Sequence, residues 1–166
     1  MRKLIGPLVD FNYWANRRLL GTVETLPADA FTRELGREFS VPTLQGMLVH
    51  IMSAEQVWLG RWRGVSVAAP ERADGYPTVQ TLRTRWETAE RDFRAFVESQ
   101  GDAELERVVD YRANDGQPYR SALWHMIQHV VNHGTHHRSE VATMLTRLGQ
   151  APLATDLILY YRSAGG

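Results

Sequence analysis

The sequence has no cysteine among its 166 residues. That absence removes disulfides, thiolate metal sites and a cysteine nucleophile, so any bound metal must rely on histidine, carboxylate or water. An excess of charge of either sign is also missing, since 19 Lys and Arg face 19 Asp and Glu. Binders of nucleic acid or anionic membrane normally carry a basic surplus, so neither partner is expected. No apolar run nears the roughly 18 residues needed to cross a bilayer. The start of the chain, Met1 to Arg18, turns polar and aromatic too early for a signal peptide. The expected compartment is therefore the cytoplasm. Internal repeats, a Gly-rich phosphate cradle, the G-x-S-x-G nucleophile turn and the H-E-x-x-H zinc motif are all lacking.

What is present suits a globular domain. The apolar share of 43% and charged share of 23% are ordinary, and the length allows one domain over residues 1–166 with its own core. Four stretches show helix-period spacing. The first, about Arg2 to Thr25, carries Leu4, Ile5, Leu8, Phe11, Ala15, Leu19 and Val23 at three- and four-residue spacing, and Pro27 stops it. A short helical turn is expected over Ala28–Leu35. The second helix runs from Pro42 or Thr43 to Arg63, capped by Ser40 or Thr43 and ended by Gly64. A loop over Ser66–Pro77 follows, then a third helix from Thr78 to Ser99. Asn114, Asp115 and Gly116 form a turn signal between two short extended pieces, which predicts a hairpin. The fourth helix spans Ser121–Gly149, with Pro152 beyond it. The apolar tail, Leu157 to Tyr161, is expected to dock. The fold class is therefore all-α, a four-helix bundle with a short hairpin before the last long helix. The loop between helices two and three is long enough for a crossover, so simple up-down order does not follow.

Five of the six histidines fall between His125 and His137. A helical wheel at about 100° per residue separates them. The apolar residues Leu123, Val130, Val141 and Leu148 centre the core face near 150°, with His133 and His137 inside its arc at about 80° and 120°. His125, His136 and His129 lie on the polar edge at about 0°, 20° and 40°. An inward imidazole pair at i,i+4 needs partners, because unsatisfied buried polar groups cost about 1–3 kcal/mol each. Hydrogen-bonded core histidines would meet that need, and so would a metal, which two adjacent imidazoles suit well. On helix two, Leu44, Leu48, Ile51, Trp58 and Trp62 define the core face. His50 falls on its flank, about 110° from the centre. Glu55 falls inside that face, as a candidate for ligand, base or ion-pair duty. Arg138 is also directed inward, and the two could simply pair with each other.

These residues resemble the DinB/YfiT-like family of metalloenzymes. The stretch from Tyr13, Trp14, Ala15 and Asn16 to Leu20 carries the likeness in helix one. Thr43 to His50, followed by Glu55 and Trp58, carries it in helix two, and His129, Asn132, His133, His136, His137 and Arg138 carry it in helix four. Ser139 departs mildly from the family, which often has glycine there. The resemblance implies a four-helix bundle, commonly a homodimer, with a divalent metal, zinc or nickel, held by His50, His133 and His137. The wheel reached the last two by itself; His50 rests on the motif. His129 and Arg138 would support the ligands, and His136 and Glu55 are the candidate proton acceptors.

Three histidines leave a coordination position open, as catalytic sites do. Family relatives include metal-dependent transferases of low-molecular-weight thiols. The resemblance therefore implies a thiol S-transferase acting on a small electrophile, with the thiol as cosubstrate. A metal-dependent hydrolase, and a metal-binding stress-response protein without turnover, are the alternatives. Trp58, Trp62 and nearby methionines are candidates for an apolar pocket wall. Helix one bears Phe11, Tyr13 and Trp14 at successive angles, so they cannot all face one interior. A leftover apolar face suggests a partner surface, in line with a homodimer.

Overall fold

The periodic stretches become helices whose ends are set by a few side chains. The computed structural model describes residues 1–65, 70–151 and 153–164. Residues 66–69 of the expected loop, and Pro152, lie outside the described residues. In chain order the elements are α1 (Arg2–Val23), α2 (Leu44–Trp62), α3 (Val79–Glu98), α4 (Asp102–Glu106), β1 (Val108–Arg112), β2 (Pro118–Ala122), α5 (Leu123–Arg147) and α6 (Leu157–Ala164). The fold is thus all-α with one two-stranded hairpin among the described residues.

Thr43, rather than Ser40, caps α2, its hydroxyl accepting the Gly46 N–H at 2.9 Å. Thr78 and Thr81 cap α3 reciprocally. Gly149 follows α5 at φ +81, a left-handed conformation that side chains with a Cβ avoid. The antiparallel hairpin pairs Val108 with Ala122 and Arg112 with Pro118. Ser121 and Ala122 therefore belong to β2, and the last long helix starts at Leu123. Over Ala28–Leu35 only one 3₁₀ turn forms, Ala28–Ala30. The backbone beyond it is taken up by the start of α2, with Leu35 N–H donating to the Pro42 carbonyl at 2.8 Å. Helix α4 was not foreseen, because five residues are too few for periodicity to register. Its fully buried Leu105 ties it to the core.

Helix α1 packs on α3 and α5, and α2 packs on the same two. The order around the bundle is therefore α1, α3, α2, α5, with α1 and α2 across the diagonal. The loop between helices two and three, though long enough for a crossover, joins neighbouring helices. The connections from α1 to α2 and from α3 to α5 make the diagonal passages. Leu19, Leu44, Leu48, Met52, Leu82, Ala89, Leu123, Ile127 and Val141 fill the interior with no exposure.

The docked tail changes the reading of helix one. Tyr160 of α6 lies against Phe11 and Trp14, with ring centroids 6.1 and 5.8 Å away. Tyr13 turns into the core against Phe93. The aromatic surplus that suggested a partner surface is thus covered by the chain's own last helix. Among the described residues no helix is long and apolar enough to cross a membrane.

Candidate metal centre

Helix α5 places His133 and His137 one turn apart, their ring centroids separated by 4.4 Å. Across the α2–α5 contact, His50 brings its ring to 5.0 Å from that of His133 and 4.6 Å from that of His137. One ring nitrogen from each lies within 4.8 Å of the other two. The Nε2 atoms of His50 and His137 are 3.2 Å apart. A tetrahedral ion with metal–nitrogen bonds of about 2.0–2.1 Å holds its ligand nitrogens about 3.3 Å apart. The donor set therefore fits a divalent metal ion. His137 is buried, His133 half-buried and His50 exposed, so the cluster is closed on the core side and open on the other. A flank position is what lets His50 reach it.

The electrostatics suit the same use. Burial, together with the neighbouring histidines, pushes His133 down to about 3, and burial followed by His137 lowers His50. Both imidazoles are neutral near pH 7, with lone pairs available. His137 Nδ1 lies 2.6 Å from Glu140 Oε2, and Glu140 Oε1 accepts the Ser40 backbone N–H at 2.7 Å. Burial alone would raise the Glu140 carboxyl, but these hydrogen bonds hold it below its ordinary value. An ionised Glu140 fixes the proton of His137 on Nδ1 and leaves Nε2 to face His50. Sequence reasoning missed Glu140. Its place one turn after His137 was visible, but its anchor, Ser40, is contributed by a distant loop.

His136 is exposed, its ring 4.8 Å from that of His137. His136, His137 and Glu140 also bring donor atoms within 4.8 Å of one another. The 2.6 Å separation of His137 and Glu140 is a hydrogen-bond distance. It is too short for two ligands of one ion, so this grouping orients His137.

A cleft of about 570 Å³ opens beside His50 and His133. His129, Trp58, Arg61 and the hairpin residues Tyr111 and Tyr119 line it. The Trp58 ring meets Tyr111 at 5.1 Å and His129 at 5.2 Å. Trp62, expected in the same wall, lies instead in the core against Phe93 and Phe96. It lies four residues beyond Trp58, where the drift of the helical wheel turns it inward. His125 is exposed and packs on Trp124.

Glu55 and Arg138 form a second buried cluster. Glu55, 1% exposed, accepts from Asn12 at 2.8 Å, Tyr13 at 3.2 Å, Asn16 at 3.3 Å and Trp86 at 3.1 Å. Arg138 Nη1 donates to the Asn12 and Asn16 side-chain oxygens at 2.6 and 2.9 Å, and Nη2 donates to Thr135 at 2.8 Å. The two charged groups do not pair directly. The Asn12 and Asn16 amides stand between them, bonding the carboxylate with their nitrogens and the guanidinium with their oxygens. Glu55 does not line the cleft. Its place in the bundle core ties α2 to α1 and α3 and sets it apart from the cleft. Gly134 makes room for this network, because a Cβ there would come within 2.7 Å of both Arg138 Nη1 and Asn12 Oδ1.

An all-α bundle with a cluster of three histidines beside an open cleft defines the class of the protein. The DinB family model matches residues 1–165, and the chain belongs to the DinB family. Protein DinB of Bacillus subtilis (strain 168) is 23% identical over 163 residues, covering 92% of this chain and 91% of that protein.

Proposed function

We propose that this protein is a metal-dependent thiol S-transferase acting on a small electrophile. The observation that carries the reading is the cluster of three imidazoles at the end of an open cleft, in a chain with no cysteine of its own. His50, His133 and His137 would hold the ion, zinc or nickel by the softness of imidazole and sulfur donors. A divalent ion held by neutral ligands keeps its full charge and favours a thiolate over a thiol. The residues of the chain do the rest. Glu140 and Ser40 hold His137 in one tautomer. Burial and then the Arg61 charge lower His129, which keeps it neutral and a weak base at the cleft wall, so the proton the thiol gives up passes to solvent through the open cleft. Trp58, Tyr111 and Tyr119 offer an aromatic wall to the electrophile. Attack forms a carbon–sulfur bond, and the leaving group departs with its bonding pair. The reading places the protein in the cytoplasm, where small thiols stay reduced.

The test is conjugation of a panel of small thiols to a chromogenic nitroaryl halide. A rate is expected that vanishes on chelation and returns with zinc or nickel. Ester or amide hydrolysis dependent on metal, with no thiol reaction, would replace the reading by a hydrolase. Tight metal binding without any turnover would leave a metal-binding protein.

We further propose a homodimer. With the α1 aromatics covered by α6, this rests on the family resemblance and needs another surface. Light scattering at micromolar concentration should give about twice the 18.9 kDa chain mass; a monomer mass would overturn it.

A further inference from the structure

The stripe of α2 that starts at His50 continues through Ala54 and Trp58 to Arg61, all lining the cleft. Eleven residues, about three turns, separate His50 from Arg61, which places them on one face and roughly 16 Å apart along the axis. Arg61 is half-buried. Its guanidinium stacks 4.6 Å from the Trp58 ring centroid and 5.7 Å from that of Tyr111. One donor, Nη2, meets Asn114 Oδ1 at 2.7 Å. Among the described residues no carboxylate forms a salt bridge with Arg61. Asp115, on the same rim, accepts the Gln117 backbone N–H at 2.9 Å. Asp110, on β1, is paired with Arg120. The remaining titratable groups lining the cleft are His50, His129 and His133, with Tyr111 and Tyr119. A half-buried cation without a counter-charge, held rigid by two aromatic rings, is poorly served by its surroundings. An entering anion would supply what is missing, through the unused donors of a planar fork suited to carboxylates.

We propose that Arg61 anchors the carboxylate of an elongated organic ligand whose other end reaches the three histidines. The ligand class is an anionic molecule with an apolar middle, lying along Trp58 and Tyr111. This deepens the transferase reading by naming what its thiol carries, a carboxylate remote from the sulfur. It stands on different residues from the metal cluster.

The experiment uses the zinc-loaded full chain and calorimetric titration with four probes: 8-mercaptooctanoate, its methyl ester, octanoate and octanamide. Both acids are expected to bind at least about tenfold tighter than their neutral partners, the gain of a charge-assisted hydrogen bond. Arg61→Met should erase that preference while the neutral probes bind as before. Asn114→Ala removes the link to the hairpin but keeps the cation, so the preference should survive. A clamp that only steadies the hairpin would instead make the two variants behave alike. Equal binding of acid and neutral probes, no binding of any probe, or a preference that persists in Arg61→Met overturns the proposal. Should the acids keep their advantage while thiols gain nothing over octanoate, the anchor stands and the thiol reading falls.

Discussion

His133→Ala and His137→Ala proteins should each emerge from metal loading without stoichiometric zinc or nickel, as elemental analysis would show. Each removes one of three imidazoles whose nitrogens sit within 4.8 Å of one another. The loss should exceed the roughly 10–100-fold typical of deleting an outer hydrogen-bond partner. Glu140→Ala belongs to that milder class, because it frees the His137 ring to turn and change tautomer without deleting a ligand. His50→Ala should behave like the α5 variants, although His50 is exposed. His125→Ala, whose ring packs on Trp124 away from the cleft, should bind metal fully. Full stoichiometry in both His133→Ala and His137→Ala would end the assignment of the centre.

The second large effect is on stability. Arg138→Met should lower the unfolding free energy by about 3–5 kcal/mol, the usual consequence of removing one member of a buried charged cluster. The lost guanidinium strands the Asn12, Asn16 and Thr135 oxygens it satisfies. Gly134→Ala should also destabilise, against the roughly 1 kcal/mol that helix propensity would return, because the new methyl meets Arg138 and Asn12. Glu55 makes this region pH-dependent. Burial raises its pKa from 4.5 to about 7, opposed by its hydrogen bonds and by Arg138. A raised value means the folded state binds more protons than the unfolded chain between those two limits. The contribution of protonated Glu55 is therefore complete below about 4.5 and is lost as pH rises through about 7. Glu55→Gln should be less stable by about 1–3 kcal/mol, since its amide faces the Trp86 N–H and leaves a donor unpaired. The difference between the two proteins, followed by denaturant unfolding from pH 5 to 8, should shrink with rising pH. A constant difference would show that Glu55 does not titrate there.

Much of this molecule was legible in one dimension because helices report themselves through period. Leu44, Leu48 and Ile51 are spaced so that burial on one face follows from geometry alone. The helix-one stripe instead divides: Leu4 is exposed, Phe11 and Ala15 pack under α6, and Ile5, Val9 and Tyr13 enter the main core. The same arithmetic set His133 and His137 inward and left His125, His129 and His136 outside, as the burial of each shows. The hairpin announced itself through Asn114, Asp115 and Gly116, the last at φ +81. Where the signal depended on a few residues it failed. Helix α4 was too short to show a period, and Ser121 and Ala122 followed their strand partners rather than the helix after them.

Period says which face of a helix is buried, but it carries no information about which other helix that face meets. His50 was at a flank by its own wheel, and only the α2–α5 contact carries its ring to the α5 pair. Glu55 and Arg138 were both recognisably out of place in apolar faces. Whether they would touch each other, line a site or need mediators depended on the diagonal placement of α1, which inserts Asn12 and Asn16 between them. The aromatic face of helix one is covered by α6 because the tail returns across it. Sequence by itself determined the helices, their inward faces and the chemistry available on them. Tertiary structure decided which side chains share a site, because long-range packing brings together atoms that spacing along the chain leaves unrelated.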